Sequence, residues 1–307
     1  MTANKTRTAS PRTTPRNAPR ASGRPPVRSA KRAPGTAAPA RAASTPRHFR
    51  IDCTLGYELP QPTSFLFQVH AQHGRDQQVL AESLELTPGI PSHVFPDPLE
   101  HHRFLRLQAP AGQFTLRYQA TVQLMPRHWD TQAAEVPVHE LPDEVLHHLM
   151  ATRYCESDLL CNAAHKIFGQ HPPGYQRVQA IVDWVHDNID YRLGSSNATT
   201  TACDVFRNRA GVCRDFAHLA VTFCRALNIP ARLVVGYARF DDPPPDFHAV
   251  FEAYLGGEWM MFDPTRMSPV EDMVRIAAGR DAKDLAFSTI FGQANMLTMA
   301  PLIEQVD

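Results

Sequence analysis

One cysteine in the sequence stands where a buried helix is predicted to begin. After Cys213, apolar residues recur at three- and four-residue steps from Phe216 to Leu227, which is typical of a helix with one buried face. The helix is predicted to end at Asn228, before Pro230, and Cys213 is predicted to lie at or just before its first turn. Unpaired N–H groups at a helix start favour an anion, and the thiolate is the nucleophilic form of cysteine. The pattern therefore predicts a nucleophile at Cys213, with Gly211 beside it to allow close approach of a substrate.

A histidine and an aspartate could activate this thiol if a β-hairpin brings them together. Two predicted strands are joined by a two-residue glycine turn: 246–255, 256–257 and 258–263. A turn of this length makes His248 and Asp263 diagonal neighbours on one face, with Cα atoms roughly 7–8 Å apart. An imidazole held by a carboxylate at one nitrogen can accept a thiol proton at the other. A single bulge would move Asp263 to the opposite face, so the prediction depends on the register of this hairpin.

Each of these three residues also has a purely structural explanation. A buried cysteine usually packs as a small apolar side chain, and Asp263 precedes a proline that would end its strand. A single histidine on a strand is most often structural as well. The combination of a thiol at a helix start with a histidine and an aspartate on one hairpin favours a catalytic role for Cys213, His248 and Asp263.

Short strands are predicted ahead of these residues. Five segments are β-branched or aromatic and are separated by turn-forming residues: 49–57, 64–70, 78–86, 104–107 and 114–124. This spacing is typical of a small antiparallel β domain. His101 and His102 lie in this region, but neighbouring strand residues point to opposite faces, so no shared metal ion is predicted.

Helical patterns begin near Pro142. Apolar residues at three- and four-residue steps predict helices over residues 143–150 and 157–168, the second with Ser157 as its N-cap. The pattern is clearest over residues 175–189, where five aliphatic residues form one stripe. These helices lie between the predicted β domain and Cys213.

Charge is distributed unevenly along the chain. Lys and Arg number 31 and Asp and Glu number 31, yet residues 1–50 contain 12 basic and no acidic residues. Residues 1–47 contain too few apolar side chains to offset the entropy cost of ordering, so this basic tail is predicted to be disordered. Electrostatic contact between residues 1–50 and nucleic acid is one interpretation, and an inert extension is the preferred one.

Composition argues against several classes of protein. No run of 18 apolar residues is present, so no membrane-spanning helix and no membrane partner are expected, and no apolar stretch follows the basic N-terminus as in a secretory signal. The six cysteines include no C-x-x-C pair, which argues against a disulfide framework and against a structural zinc site. The expectation is a cytoplasmic protein with reduced thiols and no bound metal.

Several motifs together resemble the transglutaminase-like family, a papain-like group of cysteine acyl-transfer proteins. They surround the three candidate residues: GVCRDFAH at 211–218, IPAR at 229–232, GY at 236–237, HA at 248–249 and FDPT at 262–265. Three further pieces resemble a bacterial branch of that family: RYCESD at 153–158, TA at 201–202 and AGRD at 278–281. The β region resembles the N-terminal domain of the same branch, so the resemblance covers about residues 49–305.

The resemblance implies an α+β fold, in which a small antiparallel β domain precedes a papain-like core of helices packed on an antiparallel sheet. It places the β domain at residues 48–125 and the catalytic domain at residues 126–292. The tail (1–47) precedes them, and a C-terminal strand (293–307) returns to the fold. Carried over residue by residue, Cys213 is the nucleophile, His248 the general base and then acid, and Asp263 the residue that orients the histidine.

Hydrolysis of an amide or peptide bond through a thioester is the preferred prediction. Water needs no binding pocket, whereas cross-linking by a transglutaminase needs an amine site that no motif indicates. A protein or peptide substrate is expected without a cofactor, and no calcium-binding loop motif is present. The alternatives are a protein-glutamine transglutaminase and a non-enzymatic interaction protein on the same fold; the oligomeric state stays open.

Two smaller expectations concern the cleft. The backbone N–H of Cys213 is expected to stabilise the oxyanion, with a second donor from residues 194–202 or 211–212. The proline-rich segment 241–246 is expected either to form a stiff loop at the rim of the cleft or to act as a plain connector.

Overall fold

A computed structural model describes residues 45–98, 100, 102–240 and 246–306. Most of the predicted disordered tail, His101 and nearly all of the proline-rich segment 241–246 lie outside the described residues. Within the described ranges, no helix combines the length and the apolar character that crossing a bilayer requires.

Six antiparallel strands form the first part of the fold. They are β1 (Arg47–Leu59), β2 (Thr63–Phe67), β3 (Gln77–Thr87), β4 (Ser92–Pro96), β5 (Arg103–Ala109) and β6 (Gly112–Leu124). In β6, every second side chain from Phe114 to Leu124 is buried, as a strand with one face on a core requires. The sequence analysis missed β4, because this edge strand has mostly exposed side chains and therefore lacks the alternation of buried apolar residues.

Helices and a second sheet follow. The helices are α1 (Cys161–Phe168), α2 (Tyr175–Asn188), α3 (Ala202–Asn208) and α4 (Cys213–Ala226). The strands are β7 (Asp190–Tyr191), β8 (Ala210–Gly211), β9 (Ala231–Tyr237), β10 (Phe247–Leu255), β11 (Glu258–Phe262) and β12 (Val274–Gly279). The other three helices pack around α4, and α4 lies on the antiparallel sheet β11-β10-β9-β12. This arrangement confirms the predicted α+β class.

Two predicted helices differ from the observed ones. Residues Asp143–Leu149 form a 3₁₀ helix, which suits the three-residue spacing of its two buried side chains, Val145 and His148. Ser157 is not an N-cap, because α1 begins at Cys161. Turn hydrogen bonds occupy the residues before it, including Leu160 N–H to the carbonyl of Glu156 at 3.3 Å.

Strands from the end of the described chain complete the β domain. β13 (Ser288–Phe291) pairs with β2, and β14 (Asn295–Gln305) pairs with β1. The resulting sheets have the orders β14-β1-β6-β3 and β13-β2-β5-β4. The β domain is therefore built from segments on both sides of the helical region in sequence.

Candidate active site

The hairpin of β10 and β11 holds His248 and Asp263 together. Leu255 pairs with Glu258 and Phe251 with Phe262, which is the register that the sequence predicted, without a bulge. Both turn glycines have positive φ, as a two-residue hairpin turn requires. His248 Nε2 and Asp263 Oδ2 lie 2.9 Å apart, so the ring N–H donates to the carboxylate.

Further hydrogen bonds fix the carboxylate of Asp263. Its Oδ1 accepts from the backbone N–H of Thr265 at 2.8 Å and from the Thr265 hydroxyl at 2.7 Å. Burial acts to raise the pKa of Asp263, but the bonds from His248 and Thr265 outweigh it and lower that pKa. The carboxylate is therefore ionised and has one fixed orientation when it contacts the imidazole.

Cys213 is the first residue of α4, as predicted. The backbone N–H of Val212 donates to the Asp215 carboxylate at 2.9 Å, which caps the helix start. The sulfur lies 3.9 Å from the carbonyl oxygen of Phe247, the residue before His248. A Cβ on Gly211 would lie 2.7 Å from the Cβ of Asp215, so the glycine makes room for this capping side chain. This packing explains the glycine at position 211 without the predicted role in the approach of a substrate.

The Cys213 thiol lies beside the His248 imidazole, whose Nδ1 makes no hydrogen bond within the described part of the chain. Burial acts to lower the pKa of His248, but the Asp263 hydrogen bond and the neighbouring Cys213 thiol raise it to about 10. Because Asp263 holds Nε2, Nδ1 is the nitrogen left to exchange a proton with the sulfur. An imidazolium in this position stabilises a thiolate, so the pair can form the charged couple that cysteine nucleophiles use.

Tyr191 is a site residue that the sequence analysis missed. The parallel pairing of β7 with β8 places Tyr191 opposite Gly211, so that the tyrosine lies beside Cys213. Burial and the neighbouring Cys213 raise the pKa of Tyr191, so the phenol keeps its proton and can donate a hydrogen bond. The second oxyanion donor had been expected in residues 194–202 or 211–212. A two-residue parallel pairing has no periodic pattern by which the sequence could have revealed Tyr191.

Arg214 connects α4 to the loop that precedes α3. Its guanidinium donates to the carbonyl oxygen of Asn197 at 2.9 Å and to the Asp215 carboxylate at 3.1 Å. On the other side of the site, the Phe240 ring lies 5.6 Å from the His248 ring, centroid to centroid. The site thus has a polar wall beside Cys213 and an aromatic one beside His248.

Comparisons with known proteins give matches over most of the chain. The family described as the transglutaminase-like superfamily matches residues 162–264, and the bacterial transglutaminase N-terminal domain matches residues 47–144. A solved structure from Cytophaga hutchinsonii, described as a candidate cysteine protease, is 42% identical with a TM-score of 0.83. That alignment covers 87% of this chain and 93% of the other.

Mycobacterial proteins are also similar. A Mycobacterium leprae protein without an assigned function is 28% identical over 77% of this chain and 90% of its own length. A Mycobacterium tuberculosis protein, likewise unassigned, is 31% identical over 37% of this chain and 40% of its own length.

Proposed function

Because the chain belongs to the transglutaminase-like superfamily, in the bacterial branch with an N-terminal β domain, we propose that it hydrolyses amide or peptide bonds through a cysteine thioester. The observation that carries this proposal is the hydrogen bond of 2.9 Å between His248 and Asp263, next to a thiol at the start of a helix. In this proposal Cys213 is the nucleophile, His248 exchanges the protons and Asp263 orients the imidazole.

The reaction proceeds in two proposed steps. The Cys213 thiolate attacks the carbonyl carbon and forms a carbon–sulfur bond, and the oxyanion is stabilised by the Cys213 N–H and the Tyr191 hydroxyl. The carbon–nitrogen bond then breaks as His248 Nδ1 donates its proton to the leaving amine. Water next attacks the thioester and gives one proton to Nδ1; the carbon–sulfur bond breaks, the carboxylic acid leaves, and the Cys213 thiolate and His248 imidazolium are restored.

Two alternatives use the same fold. A transglutaminase would release the acyl group to an amine instead of water, and the described residues form no separate amine site that would favour this outcome. A non-enzymatic interaction protein would not require the ionised Asp263 that holds the buried His248 ring in one orientation. Hydrolysis of a protein or peptide is therefore the function that the geometry supports best.

The test is labelling by a peptide-like electrophile, followed by mass spectrometry. The wild-type chain is expected to carry one adduct on Cys213, and Cys213→Ala is expected to carry none. Cys161→Ala is the matched control, because Cys161 is a partly exposed thiol outside the site. Equal labelling of wild type and Cys213→Ala would contradict the proposal.

The same reaction mixture separates hydrolysis from cross-linking. With a glutamine-containing peptide and a primary amine present, a hydrolase is expected to release mainly the free acid. Amine incorporation as the main product would instead establish the transglutaminase alternative.

A cytoplasmic location is part of the proposal. All six cysteines of the chain are free thiols in the structure, which suits a reducing compartment. Fractionation of cells with an antibody against the chain would test this location.

A further inference from the structure

Three side chains that could bind a metal ion lie close together at the boundary between the β domain and the catalytic domain. Glu100 comes from the segment between β4 and β5, and His147 and His148 come from the 3₁₀ helix Asp143–Leu149. Glu100 Oε1 lies 3.0 Å from His148 Nε2 and 3.7 Å from His147 Nε2. The three ligand atoms all lie within 4.8 Å of one another.

We propose that Glu100, His147 and His148 bind a divalent transition-metal ion, of which Zn²⁺ fits best. Two imidazole nitrogens and one carboxylate oxygen form a ligand set that zinc commonly takes, at distances of about 2.0–2.2 Å. In a tetrahedron of that size the ligand atoms are about 3.4 Å apart. The separations from Glu100 Oε1, 3.0 and 3.7 Å, lie on either side of that value, and the two histidine ligand atoms lie within 4.8 Å of each other, so side-chain movements of about 1 Å suffice for binding.

The surroundings of Glu100 hold it in a ligating orientation. Its second oxygen, Oε2, accepts a hydrogen bond from Arg232 at 2.7 Å, which leaves Oε1 facing the two histidines. Ligating carboxylates are commonly oriented by such outer hydrogen bonds. Arg232 is itself held by Glu252 at 2.8 Å and lies over the ring of Trp259. The carboxylate is therefore supported by a rigid set of neighbours.

The exposure of the two histidines determines from which side an ion and a water molecule could reach the site. His148 is almost fully buried, whereas 38% of the His147 side chain is exposed, so an ion could enter from the His147 side. Water from that side could occupy the fourth position.

The charged network around the site has no net charge, because its two acids balance its two arginines: Glu100, Glu252, Arg232 and Arg275. The positive charge of a bound ion is therefore not neutralised by this network. The site is therefore expected to bind more weakly than a zinc site with thiolate ligands.

The proposed ion is structural and does not depend on the proposed hydrolase activity. Glu252 lies four residues from His248 on β10, which is about 13 Å along a strand, and the ligands lie beyond Arg232. An ion there is too far away to act on the Cys213 thiol. Instead it would join a segment of the β domain to the catalytic domain, so we expect it to stabilise the folded chain.

The test uses the full-length chain with Cys213→Ala, since a thiolate beside His248 could bind zinc by itself. Calorimetric titration with Zn²⁺ is expected to show one equivalent bound, and Co²⁺ is expected to give the visible absorption of a tetrahedral site. Adding His147→Ala should weaken zinc binding by about 10²-fold or more, since it removes a ligand itself. In the parent, Tm should rise with Zn²⁺, and this rise should disappear with His147→Ala.

His139→Ala is the matched control, because its side chain is 82% exposed and lies in the preceding short 3₁₀ helix, Val138–Glu140. This variant is expected to bind zinc as the parent does. Glu100→Gln should also lose binding, and circular dichroism would show whether it still folds without its ion pair to Arg232.

Three outcomes would overturn the proposal. The parent could bind no zinc, or His147→Ala could bind it as tightly as the parent. Binding that is lost only with Cys161→Ser would place the ion at Cys161 and His165, whose Sγ and Nδ1 atoms lie 3.6 Å apart.

Discussion

At the scale of single residues, the site depends on a few hydrogen bonds that define the charge of each group. Asp263 is ionised because His248 and Thr265 donate to it, and the imidazole has a raised pKa because Asp263 and Cys213 are its neighbours. Charge at one residue thus determines the protonation of the next. The catalytic roles of these residues stay predictions, and substitutions that change one atom test them directly.

Asp263→Asn tests the carboxylate. The neutral amide no longer stabilises an imidazolium, so we expect kcat/KM to fall by about 10²- to 10⁴-fold. The sign of the pH effect follows from the raised pKa of His248. The charged couple needs a protonated imidazole, so the alkaline limb of the profile should move to lower pH in the variant. A pH profile of kcat/KM measures both effects, and an unmoved alkaline limb would show that Asp263 does not control the protonation of His248.

Tyr191→Phe tests the proposed second oxyanion donor. Loss of one hydrogen-bond donor to the oxyanion is expected to lower kcat by about 10²-fold, with little change in KM. Tyr254→Phe is the control, because it removes a phenol oxygen six residues from His248 along β10. Steady-state kinetics of both variants measure this loss. Equal kcat values for Tyr191→Phe and Tyr254→Phe would show that Tyr191 does not stabilise the oxyanion.

At the scale of elements, the start of α4 and the β10–β11 hairpin position the reacting groups. Local sequence patterns produce both elements. A glycine pair makes the tight turn of the hairpin, and an apolar stripe buries the helix that begins at Cys213. Packing of α4 on β10 then brings the sulfur next to the imidazole. Small changes at the helix start should therefore affect both stability and activity.

Gly211→Ala tests the packing at the start of α4. The added methyl group would lie 2.7 Å from the Asp215 Cβ, so Asp215 must move and the cap on Val212 weakens. We expect a loss of about 1–3 kcal/mol in the free energy of unfolding, together with reduced kcat. Gly89→Ala is the control, since a Cβ there would have no heavy atom within 4 Å. Urea unfolding measures the difference, and equal values for both variants would contradict the explanation.

At the scale of the whole molecule, a buried network of charges joins the β domain to the catalytic sheet. Glu252 is almost fully buried on β10 and pairs with Arg232 of β9 and Arg275 of β12. The backbone carbonyl of Arg275 accepts from Gln77 of β3 at 2.8 Å, and Arg232 donates to Glu100 at 2.7 Å. The two domains are therefore coupled through partners that are costly to leave unpaired.

Glu252→Gln tests this coupling. Two partly buried guanidinium groups would lose the buried carboxylate that they share, so we expect a loss of about 3–5 kcal/mol in the free energy of unfolding at pH 7. Glu304→Gln is the control, since Glu304 pairs with Arg50 in an exposed position and should cost at most about 1 kcal/mol. Equal effects of the two substitutions would exclude a special role for the network.

The same network predicts a pH dependence of stability. Burial acts to raise the pKa of Glu252, but Arg275 and Arg232 outweigh it and lower that pKa. Its contribution is therefore present above the unfolded pKa of about 4.3 and is lost as pH falls through the lower folded value. Urea midpoints should fall less steeply at acidic pH in Glu252→Gln than in wild type; parallel curves would contradict this assignment.

Local sequence patterns correctly predict the features that depend on residues within a few helical turns or strand positions of one another. The hairpin register follows from two adjacent glycines, and the helix start at Cys213 follows from the stripe after it, because both depend on neighbours in the chain. Strand β4 and the true start of α1 escaped prediction, since an exposed edge strand and a turn before a helix carry weak patterns.

Which distant segments meet depends on the packing of the folded chain. This packing brings the thiol beside the imidazole, Tyr191 beside Cys213, and Glu100 to the paired histidines of the 3₁₀ helix. These contacts join residues between 22 and 48 positions apart in the sequence. They depend on how whole elements pack and not on any repeating pattern within one of them, so no local periodicity could reveal them.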